Sequence, residues 1–320
     1  MSTLMCMLTN SWVSIWMFLE LNTLSFCSLM KTFSKTKKKN AEMSMKYFVI
    51  QSIASSILLF SSISLKVFKE FVLMMMILCT ISLLIKMASA PFQQWFVNMT
   101  KTIKWINGTI LMTWQKVAPV FLMIYQIKRF LWPFIILSAF LGAISQMNKK
   151  NLKEIMAYSS IFNLSWMMMS IILNSKIFFL YCLMYWNSVI IVIYLMKTSN
   201  MKKMNYSNKK SVPKWIKILV ILNLAGIPPL TGFLAKWTVL IEMLKENLNF
   251  IVTPLLVTSS INLYIYMRMM NKDFLDNSYC MQKDFKTNNK KIMMITFITT
   301  LVPLLLMSMY SKRLKKGLFW

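Results

Sequence analysis

Apolar residues fall in runs of about 20 from one end of the chain to the other, separated by short polar stretches crowded with lysine. A helical run of that length crosses the roughly 30 Å of hydrocarbon in a bilayer, so the pattern predicts about ten transmembrane helices and no soluble domain. The runs lie at about residues 8–30, 46–65, 71–91, 105–127, 130–147, 152–173, 177–197, 215–244, 250–270 and 291–310. The expected fold class is an all-α polytopic membrane protein, one integral membrane domain over 1–320.

Two runs are broken from within. The run from Trp105 to Ile127 carries Lys116 at its middle, with Ala118 and Pro119 close behind. A lysine at that depth costs roughly 2.5–3.5 kcal/mol on insertion scales, so it must be paired, face a wet cavity or shed its proton. Proline removes a backbone hydrogen bond and tends to break or kink a helix, leaving carbonyls that need water or another helix. The run 215–244 would be about 45 Å long as one helix, too long for a straight span. Gly226, Pro228, Pro229 and Gly232 interrupt it, and Lys236 follows. Two interrupted spans with a lysine beside each break point to an ion pathway built on inverted repeats, covering about 8–173 and 177–270, with a terminal helix at 291–310.

Other polar residues sit inside or beside the runs. Glu20, flanked by Trp16, Phe18, Leu21 and Leu24, is the acid placed clearly within a span and is expected to be buried. A buried carboxylate and a buried lysine lower each other's desolvation cost by pairing, which makes Glu20 and Lys116 natural partners. Lys86, five residues before Pro91, either snorkels to the interface or faces the same interior as Lys116; patterning leaves both open. Lys153 and Glu154 stand at the start of the sixth span, where an acid suits the positive end of the helix dipole. Ser159, Ser160 and Asn163 lie deeper, suited to holding water or to bonding between helices. In the second span Ser52, Ala54, Ser55 and Ser56 supply small residues for close packing.

Composition narrows the chemistry. The chain is 57% hydrophobic with mean hydropathy +0.56, has no histidine and only five glycines. Histidine-ligated metal or haem and a glycine-rich nucleotide loop are therefore excluded. Cys6, Cys27, Cys79, Cys182 and Cys280 are scattered without ligand spacing and read as thiols of the membrane core and one loop. A net charge of +28 would suggest nucleic acid in a soluble protein. Here the lysines crowd the loops after spans one, three, five, seven and nine, notably residues 31–46 and 197–217, so membrane lipid is the expected partner and nucleic acid is not. Those loops are expected to face the inner compartment and both termini the other side. Three arginines stand against 34 lysines, and 32 methionines accompany abundant Ile, Phe and Asn, as AT-rich coding in an animal mitochondrial genome would produce. No cleavable signal or transit peptide is visible.

The stretches WMFLELNTLSF, KYFVIQSIASS, KMASAPFQQWF, ILMTWQKVAP, LKEIMAYSSIFNLSW and GIPPLTGFLAKW, in this order and spacing, resemble the chain 2 family of mitochondrial NADH:ubiquinone oxidoreductase, respiratory complex I. The resemblance covers nearly the whole chain. It implies an antiporter-like, proton-pumping subunit of the membrane arm in the mitochondrial inner membrane, with odd loops toward the matrix and termini toward the intermembrane space. It also implies that the chain does no redox chemistry and holds no cofactor, since NAD, FMN, iron–sulfur clusters and ubiquinone bind elsewhere in such a complex. The implied partners are neighbouring antiporter-like and small hydrophobic subunits. In this family the acid at Glu20 couples electrostatically to the lysine at Lys116, the lysine at Lys236 is the terminal relay, and Lys86 also matches a family lysine. The sequence departs from the family where a lysine usually precedes AYSS: Glu154 stands there, with Lys153 one residue earlier and about 100° around the helix. Histidines expected near APF and after AYSS are Gln93 and Asn163, so water held by Ser159, Asn163 and Gln93 would have to carry protons, or the subunit pumps less well. The helix that normally precedes the Glu20 motif is expected to be shortened or lost. Two rivals share these features: a free-standing cation/proton antiporter and a structural spacer of the membrane arm.

Overall fold

The computed structural model describes residues 1–32, 37–67, 70–126, 128–198, 214–228 and 230–275, and its regular structure among these is helical. The chain divides into two compact units, Met1–Ser175 and Lys176–Trp320. The first contains α1 (Ser2–Leu8), α2 (Trp12–Thr32), α3 (Lys37–Val67), α4 (Val72–Met87), α5 (Gln94–Thr102), α6 (Trp105–Met112), α7 (Trp114–Leu122), α8 (Trp132–Met147) and α9 (Leu152–Leu173). The second contains α10 (Ser175–Thr198, whose first residue closes the first unit), α11 (Lys214–Ala225), α12 (Thr231–Lys245) and α13 (Asn249–Leu275). A short helix thus precedes the one that carries Glu20.

Five described helices are long and apolar enough to cross a membrane: Trp12–Met30, Ala41–Leu65, Leu152–Leu173, Ser175–Lys197 and Asn249–Asn271. Shorter apolar helices, Val72–Met87, Trp132–Met147 and Ile216–Ala225, fall on three more predicted runs. The run 291–310 lies outside the described residues.

In the first unit α3 packs between α2 and α4, while α9 is the central element, with 89% of its span buried. A helix buried all round has no solvent to satisfy its polar side chains. The serines of α9 bond back to their own helix: Ser159 Oγ donates to Met156 O at 2.8 Å and Ser160 Oγ to Ala157 O at 2.7 Å. Asn163 Nδ2 likewise donates to Ser159 O at 2.8 Å. At the α8–α9 contact Gly142 allows backbones to meet, because a Cβ there would lie 2.8 Å from Phe162 N. On α2 the buried Ile15, Leu19 and Phe26 are matched by exposed Val13, Met17, Leu21 and Leu24, the arrangement of a helix with protein on one side and lipid on the other.

The helix break in the first unit is not where proline alone would put it. Helix α7 continues through Pro119 to Leu122, and the interruption falls at Thr113, with φ −114° and ψ −74°. Thr113 Oγ1 bonds back to Thr109 O at 2.8 Å, and Lys116 N reaches Thr113 O at 3.2 Å, the tighter spacing of a 3-10 turn. In the second unit α11 stops at Ala225, and Gly226 takes φ +83°, a left-handed cap open to glycine. Its N–H reaches Leu222 O at 3.1 Å, and α12 restarts at Thr231.

Candidate functional site

Helix α3 carries Tyr47, Gln51 and Ser55 four residues apart, hence on one face and spread over about 12 Å of rise. Each meets a different polar group of the first unit. Ser55 Oγ donates to Glu20 Oε1 on α2, where Thr23 Oγ1 also approaches Glu20 Oε2 at 3.3 Å. Gln51 O accepts from Lys86 Nζ of α4 at 3.4 Å. Tyr47 OH donates to Gln115 Oε1 of α7 at 3.3 Å.

Lys86 is 6% exposed, so its ammonium stays inside rather than reaching the interface, although it occupies the last turn of α4. Lys116 is 3% exposed; its Nζ donates to Ser160 Oγ of α9 at 3.1 Å and lies 4.3 Å from the centroid of the Phe96 ring, a cation–π contact. Lys86 and Lys116 both line one small, partly open cavity, together with Asn22, Tyr47, Gln51 and Gln115. Its apolar wall includes Trp95 and Phe96.

The direct pairing of Glu20 with Lys116 is not formed: no ion pair joins them. Each group is engaged elsewhere: Glu20 by Ser55 and Thr23, Lys116 by Ser160 and the Phe96 ring. Lys86 in turn donates to the main-chain carbonyl of Gln51, one helical turn before Ser55 on α3. Glu20 is also half-buried rather than fully enclosed.

Lys153 and Glu154 lie elsewhere, at the start of α9. Glu154 is 5% exposed, accepts from Asn151 Nδ2 at 2.8 Å, and pairs with Lys101 of α5 at 2.9 Å and with Lys149 at 4.0 Å. Lys153 Nζ donates to Ile103 O and sits 5.6 Å from the Trp105 ring centroid. Neither lines the cavity of Lys116. Gln93 Oε1 is buried without a hydrogen-bond partner.

In the second unit Lys236, 7% exposed, sends Nζ back to Ala225 O at 3.2 Å, beside the interruption. Asn223 organises that turn: Oδ1 accepts from Thr231 Oγ1 at 2.7 Å and from Gly232 N at 3.0 Å, capping the start of α12. Lys217, grouped by charge with the preceding loop, lies on α11 and is 6% exposed. Among the described residues no group of three or more His, Cys, Asp or Glu gathers as metal ligands.

Residues 9–262 match the family model for the membrane-spanning part of the NADH:quinone oxidoreductase/Mrp antiporter subunits. The chain belongs to this family. A protein of Anopheles gambiae named NADH-ubiquinone oxidoreductase chain 2 is 35% identical over 323 residues, covering 96% of this chain and 94% of its own length. A chain in the structure of respiratory complex I from Thermus thermophilus with bound aureothin has the same fold, with TM-score 0.73 at 19% identity over 84% of this chain and 67% of that one. A chain of the membrane-bound sulfane sulfur reductase, an archaeal respiratory membrane complex, gives 0.76 at 15% identity over 97% and 72%. The resemblance read from the motifs therefore holds, and the chain is a multi-pass membrane protein of the NADH:quinone oxidoreductase/Mrp antiporter family.

Tyr47, Gln51, Asn22, Gln115 and Phe96 were not singled out from sequence. The signal was present in two places. Gln115 directly precedes Lys116, and the four-residue spacing of Tyr47, Gln51 and Ser55 marks one helix face, although that span reads first as a source of small packing residues.

Proposed function

We propose that this chain is a proton-translocating membrane-arm subunit of a respiratory NADH:ubiquinone oxidoreductase in the mitochondrial inner membrane, with no redox centre of its own. The reading includes about ten spans in two inverted repeats, the interruptions at Thr113 and Gly226 as their broken helices, and odd loops toward the matrix. The observation that carries it is the pair of buried lysines, Lys86 and Lys116, on one cavity beside an interrupted helix, with Glu20 at the far end of the same α3 face.

Two ammonium groups on one low-dielectric cavity repel, so a single excess proton shared between them is the favoured charge state. Glu20 draws that charge toward Lys86. Cancelling the Glu20 charge, by a proton or by a neighbouring subunit, releases it toward Lys116, with water in the cavity as carrier. Ser160 Oγ and the Phe96 ring hold the Lys116 ammonium once it is charged. Lys236 serves as the outlet lysine in the second unit, and quinone reduction elsewhere in the complex supplies the drive. Glu154, engaged by Lys101 and Lys149, fastens α5 to α9.

Native electrophoresis of mitochondrial membranes in mild detergent tests membership: the chain is expected to migrate with a large NADH-oxidising assembly, and migration as a small separate species favours the free-standing antiporter. Lys116→Met tests the path. It removes the buried charge without cutting the volume, so assembly survives while NADH-driven pumping falls. Wild-type pumping in that variant would leave the spacer reading standing.

A further inference from the structure

Resting on this proton-path reading, we propose that Gln115, gripped by Asn22 and Tyr47, is the positioning residue that sets Lys116 against the helix interruption and ties it to the helix carrying Glu20. Gln115 directly precedes Lys116 and lies two residues past Thr113. Its own main chain is weakly held, since Pro119, four residues on, has no N–H to offer the Gln115 carbonyl. The side chain takes over. Asn22 Nδ2 donates to Gln115 Oε1 at 2.9 Å, Gln115 Nε2 donates to Asn22 Oδ1 at 3.3 Å, and Tyr47 OH donates to the same Oε1 at 3.3 Å. The reciprocal amide pair uses a donor and an acceptor on each partner, which among neutral side chains is the property of Asn and Gln. All three residues line the cavity with Lys116, so the pair is part of the site.

The pair also has a direction. Asn22 follows Glu20 by two residues, about 200° around α2, so Glu20 meets α3 while Asn22 meets α7. Any rotation of α2 that follows loss of the Ser55–Glu20 bond must pull on the amide pair. The reciprocal pair and the Tyr47 bond must all open before α2 can turn without moving Gln115. A change of charge at Glu20 therefore reaches Lys116 mechanically as well as through Lys86.

The test uses the assembled complex in sealed vesicles, with NADH-driven proton pumping measured per assembled complex across a pH series. Variants are Asn22→Leu, Gln115→Leu, the double variant, and the exchange Asn22→Gln with Gln115→Asn. Each single substitution is expected to lower pumping about five- to tenfold, the size expected for loss of a buried hydrogen bond. The double is expected to fall no further than the worse single, and the exchange to recover most of the loss with the wild-type pH profile. Additive losses in the double variant overturn the link. So does a drop in the amount of assembled complex with unchanged pumping per complex, the mark of a merely structural contact. Lys116→Met is measured alongside: wild-type pumping there sinks the proton-path reading itself, whereas loss there with wild-type pumping in Asn22→Leu and Gln115→Leu sinks this inference alone.

Discussion

Replacing Gly232 with alanine puts the geometry of the second interruption to a direct test. A Cβ at this position would lie 2.0 Å from Asn223 O and 3.5 Å from Gly226 Cα. Carbon and oxygen do not approach closer than roughly 3.3 Å, so the start of α12 must move by more than about 1 Å from the end of α11. That displacement breaks the cap in which Asn223 Oδ1 accepts from Thr231 Oγ1 and Gly232 N. Two neutral hydrogen bonds are worth about 1 kcal/mol each, and overpacking a tight contact adds about 1–3 kcal/mol, giving about 3–5 kcal/mol in all. The loss is a large share of ordinary folding stability. Heating the detergent-solubilised complex and following retention of the chain by native electrophoresis reads it out. Gly108→Ala is the control: nothing lies within 4 Å of its Cβ position, and alanine in a helix gains roughly 0.5–1 kcal/mol over glycine. Gly232→Ala is expected to release the chain at markedly lower temperature, and Gly108→Ala at the same or higher. If Gly232→Ala melts with the wild type, the close approach of α11 to α12 at this turn is wrong.

Two further substitutions test the first unit. Gly142→Ala places a Cβ 2.8 Å from Phe162 N and 3.0 Å from its Cα, forcing α8 off α9 for about 1–3 kcal/mol, and should be seen as faster proteolysis of the solubilised complex. Unaltered proteolysis would show that the α8–α9 contact is looser. Glu154→Gln removes the charge that Lys101 and Lys149 share; because Lys101 is more than half exposed the cost is only about 1 kcal/mol, and the difference from wild type should shrink in high salt. A salt-independent difference of several kcal/mol would mean that Glu154 acts through something other than these lysines.

Hydropathy runs made most of the helices legible, because a bilayer demands one long apolar stretch per crossing and so fixes where helices can lie. The odd residues in those runs also marked the site: Lys116, Lys86 and Glu20 stand out because an ionisable group in hydrocarbon is costly. Two things were hidden. The break upstream of Lys116 falls at Thr113, six residues before Pro119, and residue type does not mark it, since hydroxyl back-bonds like that of Thr113 also occur within unbroken α9. Which charge answers which depends on the stagger of α2, α4 and α7 along α3. One helix's periodicity gives a face but not the height of its neighbours, so sequence pairs Glu20 with Lys116, whereas the fold gives Lys116 to Ser160 and Phe96 and leaves Glu20 with Ser55 and Thr23.

The absence of a Glu20–Lys116 ion pair has an energetic consequence for the proton-path reading. At an effective dielectric constant of about 20, opposite charges about 4 Å apart attract by about 4 kcal/mol, and at about 12 Å by about 1.4 kcal/mol. Direct contact would hold a proton on Lys116 roughly a thousandfold more firmly than the same site without Glu20, too strong a bias for a proton that must leave on every cycle. Without direct contact, one change of charge at Glu20 biases the Lys116 end far more weakly. A weaker bias of that kind redirects a proton and still lets it go. On the proposed path Lys86, which shares the cavity with Lys116, divides the transfer into two steps, and the neutral groups of Gln51, Gln115 and Asn22 on the cavity wall solvate a moving charge without trapping it as a second carboxylate would. On the proposed path the missing ion pair between Glu20 and Lys116 is what lets the proton leave, and Gln51→Glu, which adds a carboxylate to the cavity wall, should lower NADH-driven pumping by capturing the charge; unchanged pumping in that variant refutes the argument.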